Sequence, residues 1–218
     1  MLTLPEELYL LALHEVKGRV THSIAIGLYF GLGAALLSEL VLLGKVRLDE
    51  HKKVLVVDAM PTGDDVVDSG LEKIRASEHP RKAAHWVQEL SSIHKLDKRM
   101  AHKLVEKGIL YKEEKRYLGV VPYEAYPEHD ATAKYWIKYH LRAVALTGGK
   151  PEAHTVALLS LVKACEMLDL VFTRDEMKLA RKKIERLIEN EVIAQEVYET
   201  LNAIMDASTA AIIAATGT

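Results

Sequence analysis

The chain has 218 residues and a mass of 24.4 kDa, with 49% hydrophobic and 28% charged residues, which excludes a disordered polypeptide and leaves ample chain for a core. Its net charge of −2 excludes a global basic field that would draw it to nucleic acid, so any anion binding has to come from a local patch. A single cysteine, Cys165 in the apolar run TVALLSLVKACEMLDLV, excludes an internal disulfide and agrees with a reducing setting.

Met1 leads directly into LTLPEELYLLAL, which carries two glutamates and no basic flank, so no signal peptide is expected. Thr3 and Glu6 form a capping box for a first helix that is predicted to run to about Val16 and end at Gly18. The next segment, Ile24 to Leu43, is long enough to span a bilayer, but Glu39 lies inside it and it runs straight into charged residues. It reads as a helix apolar on all sides at the centre of a helical body, with Gly27, Gly31 and Gly33 permitting close packing.

Gly44 ends that helix, and Val46 to Val56 reads as a hairpin around Asp49-Glu50. Pro61-Thr62-Gly63-Asp64 makes a turn, and Thr62 with Asp65 is predicted to cap a helix through roughly Ser77. A short helix around Trp86 and a longer one from about Lys95 to Lys107 follow. Leu104 to Val121 (LVEKGILYKEEKRYLGVV) then repeats the pattern of Leu40 to Val57 (LVLLGKVRLDEHKKVLVV). In register, Gly108 matches Gly44 and Glu113-Glu114 matches the Asp49-Glu50 turn, which predicts a second hairpin. Pro122 to Asp130 reads as irregular. Helices are expected from Ala131 to Thr147, after Pro151, after the Thr173/Glu176 capping box, and in the alanine-rich C-terminal segment. No linker divides the chain. The expectation is one mainly α domain over residues 1–218, a compact helical body around a buried central helix with two short β-hairpins.

Helix followed by hairpin also ends a winged helix, and that reading places the Lys95–Lys107 helix as a recognition helix. The mild acidity of the chain weighs against it, and no nucleic acid is expected as a partner. On that same helix Leu96, Met100 and Leu104 recur every fourth residue and face inward, with Ala101 and Val105 beside them. Lys95, Lys98, Arg99 and His102 fall on the other side. From Lys95 to Arg116 eight Lys/Arg face four acids, a local excess of four positive charges. This is either a solvated charged face or a surface for phosphate or lipid headgroups. Enzymatic signals are weak. No His-Glu-x-x-His, Cys-x-x-Cys, Gly-x-Ser-x-Gly or phosphate-binding Gly loop occurs, so no catalytic residue, metal or cofactor is expected.

LTLPEELYLLAL (Leu2–Leu13), ELVLLGKVRL (Glu39–Leu48), PTGD (Pro61–Asp64), HWVQELS (His85–Ser91) and LVEKGIL (Leu104–Leu110), in that order and spacing, closely resemble the Golgi phosphoprotein 3 family over nearly the whole chain. The resemblance implies a mostly helical, peripheral protein at the cytoplasmic face of a membrane that binds phosphatidylinositol 4-phosphate. It also implies an adaptor for membrane-protein cargo whose hairpin assists self-association. The family's headgroup pocket uses a tryptophan and an arginine near the start of the long helix and two arginines before LVEKGIL. The corresponding positions here hold Ser23 or Ile24, Gly33, His94 and Asp97. The family's basic N-terminal tail has no counterpart, which suits a short, tail-less relative of prokaryotic type.

The expected headgroup-binding residues are therefore Arg19, His22, His94, Lys95, Lys98, Arg99 and His102, acting on anionic membrane lipid. Ile109, Leu110, Tyr111, Tyr117 and Leu118, with Val120 and Val121, exceed what one ribbon face needs, so this hairpin is expected to meet a second subunit in a homo-oligomer or to touch membrane. The alternative is a protein–protein scaffold without lipid binding.

Overall fold

The computed structural model describes residues 1–117, 120–147, 151–192, 195–198 and 202. Its centre is helix α2 (Ala25–Leu42), preceded by one turn of 3-10 helix at His22–Ile24. Every residue from Gly31 to Leu40 is buried. Around it pack α1 (Leu4–Ala12), α3 (Asp65–Arg75), α4 (Ala83–Ser91), α5 (Leu96–Glu106) and α7 (Ala153–Ala164). Helices α6 (Thr132–Thr147) and α8 (Arg174–Glu189) close one side against α7. The fold is mainly α. The stretch His22–Leu42 is apolar and long enough to cross a membrane by composition alone, yet 72% of its most apolar window lies inside this packing.

Burial of α2 extends to its polar groups. The Glu39 carboxylate accepts the Leu4 N–H at 2.8 Å, capping the start of α1 from a neighbouring helix. Burial nevertheless pushes the Glu39 pKa up. Gly33 lets α4 approach closely: a Cβ there would lie 2.2 Å from Ser91 Oγ and 2.4 Å from the Val87 carbonyl. The expected buried central helix is found, and near its start Ile26 and Tyr29 are exposed.

Three expectations are corrected. Helix α1 stops at Ala12 rather than near Val16. Leu13 pairs with Val20 in a β-bridge, and the Leu13 carbonyl takes a proton donor from Lys134 Nζ at 2.6 Å, so the chain turns instead of continuing. Helix α3 is capped by Asp64, whose side chain accepts Val66 N–H at 3.0 Å and Val67 N–H at 3.1 Å; Thr62 is engaged by Asp68 instead. The second hairpin is shifted. Strands β1 (Val46–Leu48) and β2 (Val54–Val56) pair as the repeat predicts. Strands β3 (Glu113–Tyr117) and β4 (Val121–Ala125), however, put Glu113-Glu114 within the ribbon and the turn beyond Tyr117.

The cause of the shift lies at its base. Leu110 is buried and bridges to Glu128, Tyr111 N–H donates to the Pro127 carbonyl, and Tyr126 N–H donates to Gly18. These anchors pull residues expected to be irregular into β4. Pro122 sits opposite Arg116, where an isolated ribbon tolerates a missing N–H. Gly44 and Gly108 hold the matching left-handed positions after α2 and α5, with φ of 69° and 70°. The alanine-rich C-terminal segment, apart from residues 195–198 and 202, lies outside the described residues, as do Gly148-Gly149.

Candidate functional site

The exposed start of α2 and the start of α5 bound a cleft of about 230 Å³. Its floor is apolar, built from Leu28, Leu32 and Leu96, and Tyr29, Lys95 and Asp97 stand among its lining residues. Lys95 links α4 to α5 in a left-handed conformation (φ 52°) that a side-chain-bearing residue adopts at some cost. Its side chain is exposed and makes no hydrogen bond or ion pair among the described residues.

Helix α5 presents the inward face that its spacing predicts: Leu96, Met100, Ala101 and Leu104 are buried. Its outer face is basic in sequence only. Lys98 lies 3.0 Å from Glu124 of β4, and Lys112 lies 2.6 Å from the other oxygen of that carboxylate. Arg99 binds Asp65 at 2.8 Å and Ser69 at 3.2 Å. Lys103 binds Asp64 at 2.7 Å and Asp65 at 2.9 Å, and Lys107 binds Glu6 at 2.6 Å. The excess of four charges in Lys95–Arg116 thus meets four carboxylates from outside that segment: Glu6, Asp64, Asp65 and Glu124. Hydrogen bonds from Arg99 and Lys103 hold Asp65 down at about 2, and those from Lys112, Lys98 and Tyr126 hold Glu124 down at about 2.

The seven residues expected at a headgroup site separate accordingly. Lys98 and Arg99 are ion-paired, and His102 lies 3.3 Å from the Tyr126 hydroxyl. Lys95, His22, His94 and Arg19 have no acidic partner among the described residues. Arg19 stacks over the Tyr123 ring at 4.6 Å, next to the Glu124 that holds Lys98. The loop after α1, strand β4 and the first turn of α5 therefore share one surface. Two of the three positions matching family arginines are occupied in ways the fold makes plain. Gly33 is sealed against the α4 backbone and admits no side chain, while Asp97 sets a carboxylate among the residues lining the cleft. Sequence reasoning missed Tyr29; an aromatic residue near the start of a long apolar helix was the available signal.

The hairpin residues divide as well. Leu110 is core rather than surface, Ile109 is half-buried, and Tyr111 is exposed, edge-on to His129. Tyr117 ends β3, and Leu118 lies outside the described residues. Val120 and Val121 at the far end are exposed. The cysteine offers little chemistry: Cys165 is buried between α7 and α2, and burial pushes its thiol up to about 12. No group of three or more His, Cys, Asp or Glu able to hold a metal occurs among the described residues.

A family model described as Golgi phosphoprotein 3 matches residues 4–204, which is nearly the whole described fold. The chain belongs to the Golgi phosphoprotein 3 family.

Proposed function

We propose that this protein is a peripheral, non-enzymatic membrane module that binds anionic lipid surface at the cytoplasmic face of a membrane. The observation that carries this is the state of Lys95 and Arg19. Lys95 lines the cleft and Arg19 lies in the loop before its lining residue Val20; neither has an acidic partner among the described residues, while Lys98, Arg99, Lys103 and Lys107 are neutralised within the fold. An unpaired Lys95 lining the same cleft as an exposed Tyr29 suits a charged headgroup layer. Asp97 and the closed Gly33 position oppose a tight stereospecific grip on a phosphate monoester, so attraction is charge-driven, without strong preference for phosphatidylinositol 4-phosphate. The exposed Val120-Val121 end of the second hairpin supplies an apolar point for bilayer contact or self-association, and membrane-protein cargo would meet the module there at the membrane.

Co-sedimentation with phosphatidylcholine vesicles, with and without phosphatidylserine or phosphatidylinositol 4-phosphate, tests the reading. Binding is expected to require anionic lipid of either kind and to fall as salt rises. Equal recovery with neutral vesicles would overturn charge-driven binding, and none with any vesicle would leave the protein–protein scaffold as the better account.

A further inference from the structure

Helix α8 reads in sequence as a mixed-charge helix. Its segment RDEMKLARKKIERLIE holds six Lys/Arg and four acids, a pattern in which residues one turn apart can neutralise one another. The fold uses the acids otherwise. Glu176 reaches Arg142 of α6 and caps Thr173, and Glu185 lies 3.9 Å from Lys163 of α7. Among the described residues, the pair formed along α8 itself is Lys178 with Asp175, at 3.1 Å. Lys182, Lys183 and Arg186 have no acidic partner among the described residues. The cations of α6 differ: Lys134, Lys138 and Arg142 are ion-paired with Glu128, Glu15 and Glu176.

The buried face of α8 is Ala180, Ile184 and Ile188, packed towards α6 and α7. At roughly 100° per residue, Leu179 falls on the opposite side, with Lys182, Lys183 and Arg186 within about 60° of it. Leu179 is 77% exposed, Lys182 and Arg186 are exposed, and Lys183 is half-buried. Asp175 shares this side but is held by Lys178, and Glu189 stands at its edge, so the face keeps a net positive charge.

An exposed leucine among unpaired cations selects its occupant. Unpaired cations suit a polyanionic surface. The wet phosphate backbone of a nucleic acid would leave Leu179 in water, and the chain as a whole carries a charge of −2. An anionic bilayer accommodates both features: long stems keep the charged groups at headgroup level while the leucine reaches the acyl boundary. A second copy of this face would set like charges against each other. The face also starts beside the proposed cleft. The link through Leu168–Leu170 into α8 leaves α7 at Cys165, whose thiol donates to the Gly27 carbonyl in the first turn of α2 at 3.3 Å.

We infer that the outer face of α8 is a second membrane contact, in which Lys182, Lys183 and Arg186 meet anionic headgroups around an inserted Leu179. The inference rests on the lipid-binding reading and adds to it a face outside the cleft.

Two measurements on the full chain test it, with vesicles of phosphatidylcholine and phosphatidylserine. Each cation near an anionic bilayer is worth about fivefold in affinity, so Lys182→Ala, Lys183→Ala and Arg186→Ala together should weaken binding about a hundredfold and flatten its salt dependence. Leu179→Cys, labelled with a nitrobenzoxadiazole dye, reads insertion directly, because Cys165 is buried. Its emission should rise and move to shorter wavelength on the vesicles. Vesicle binding with unchanged emission, or with affinity unaltered in the triple variant but weakened by Arg19→Ala with Lys95→Ala, would overturn the α8 contact and leave the cleft reading standing. Absence of vesicle binding by the parent protein would overturn both. A gel shift of duplex DNA that the triple variant loses, with vesicle binding unaltered, would assign the face to nucleic acid instead.

Discussion

Lys107 and Glu6 are 101 residues apart in sequence, yet the Lys107 ammonium lies 2.6 Å and 2.7 Å from the two carboxylate oxygens of Glu6. Glu6 is fully buried and also accepts the Thr3 N–H at 2.8 Å. One side chain therefore caps α1, and its charge is held by the residue that follows α5. Breaking such a pair from the exposed side strands a buried charge, which costs about 3–5 kcal/mol. Lys107→Met should lower unfolding free energy by that amount in urea titration. Lys107→Met combined with Glu6→Gln should recover most of it, because no charge is left behind. Equal destabilisation by the single and double variants would show that the loss is packing.

Glu39 separates two roles of one carboxylate. Its hydrogen bond to Leu4 N–H stabilises, while its buried charge does not. Glu39→Gln keeps an acceptor and removes the charge, so stability near neutral pH should hold or rise. Glu39→Leu leaves the Leu4 N–H unsatisfied and should cost about 1–3 kcal/mol. Thermal melting of the two variants checks the contrast.

Two helical glycines should respond with opposite sign to the same change. Gly33→Ala forces a methyl against Ser91 and the Val87 carbonyl, so α2 and α4 have to separate, at about 2 kcal/mol or more. Gly70→Ala in α3 meets only Leu90 at 3.4 Å and Leu40 at 3.7 Å. It should stabilise by roughly 0.5–1 kcal/mol through helix propensity. Chemical denaturation of both variants reads the signs.

The cleft cations make a charge prediction that differs from one based on sequence. Each Lys or Arg near an anionic bilayer contributes about 1 kcal/mol, so Arg19→Ala with Lys95→Ala should weaken binding roughly thirtyfold. Asp97→Asn removes an opposing charge among the cleft-lining residues and should tighten binding about fivefold by the same scale. Vesicle titration at fixed salt measures both, and a neutral outcome for both would remove the cleft from the binding surface.

Stability should depend on pH at two ends. The His154 imidazole lies 2.7 Å from Glu7, and this hydrogen bond raises its pKa. A raised folded value means that the contribution is complete below the unfolded histidine value, about 6.5, and is lost as pH rises through the folded value. Asp65 and Glu124 are depressed to about 2. Their contribution is complete above the unfolded carboxylate values, about 4, and is lost as pH falls towards 2. His154→Gln should flatten the stability curve as pH rises from about 6.5 and leave the acid limb unchanged.

The sequence by itself determined what depends on neighbours in the chain. The Thr173/Glu176 capping box, the left-handed Gly44 and Gly108, the first hairpin and the inward face of α5 follow from local backbone and side-chain geometry. The central place of α2 follows from an apolar surface that only burial satisfies. Tertiary structure decided the rest. Glu6, Asp64, Asp65 and Glu124 are brought to α5 and the segment after it from other elements and convert an apparent basic patch into a largely neutral one, in which Lys95 and Arg116 have no acidic partner among the described residues. Anchors at Leu110 and Tyr126, distant in sequence from Gly18, move the second hairpin out of the register that its repeat suggests. Composition counts charges, but only folding decides which of them stand next to each other, because electrostatic and packing energies depend on distance in space.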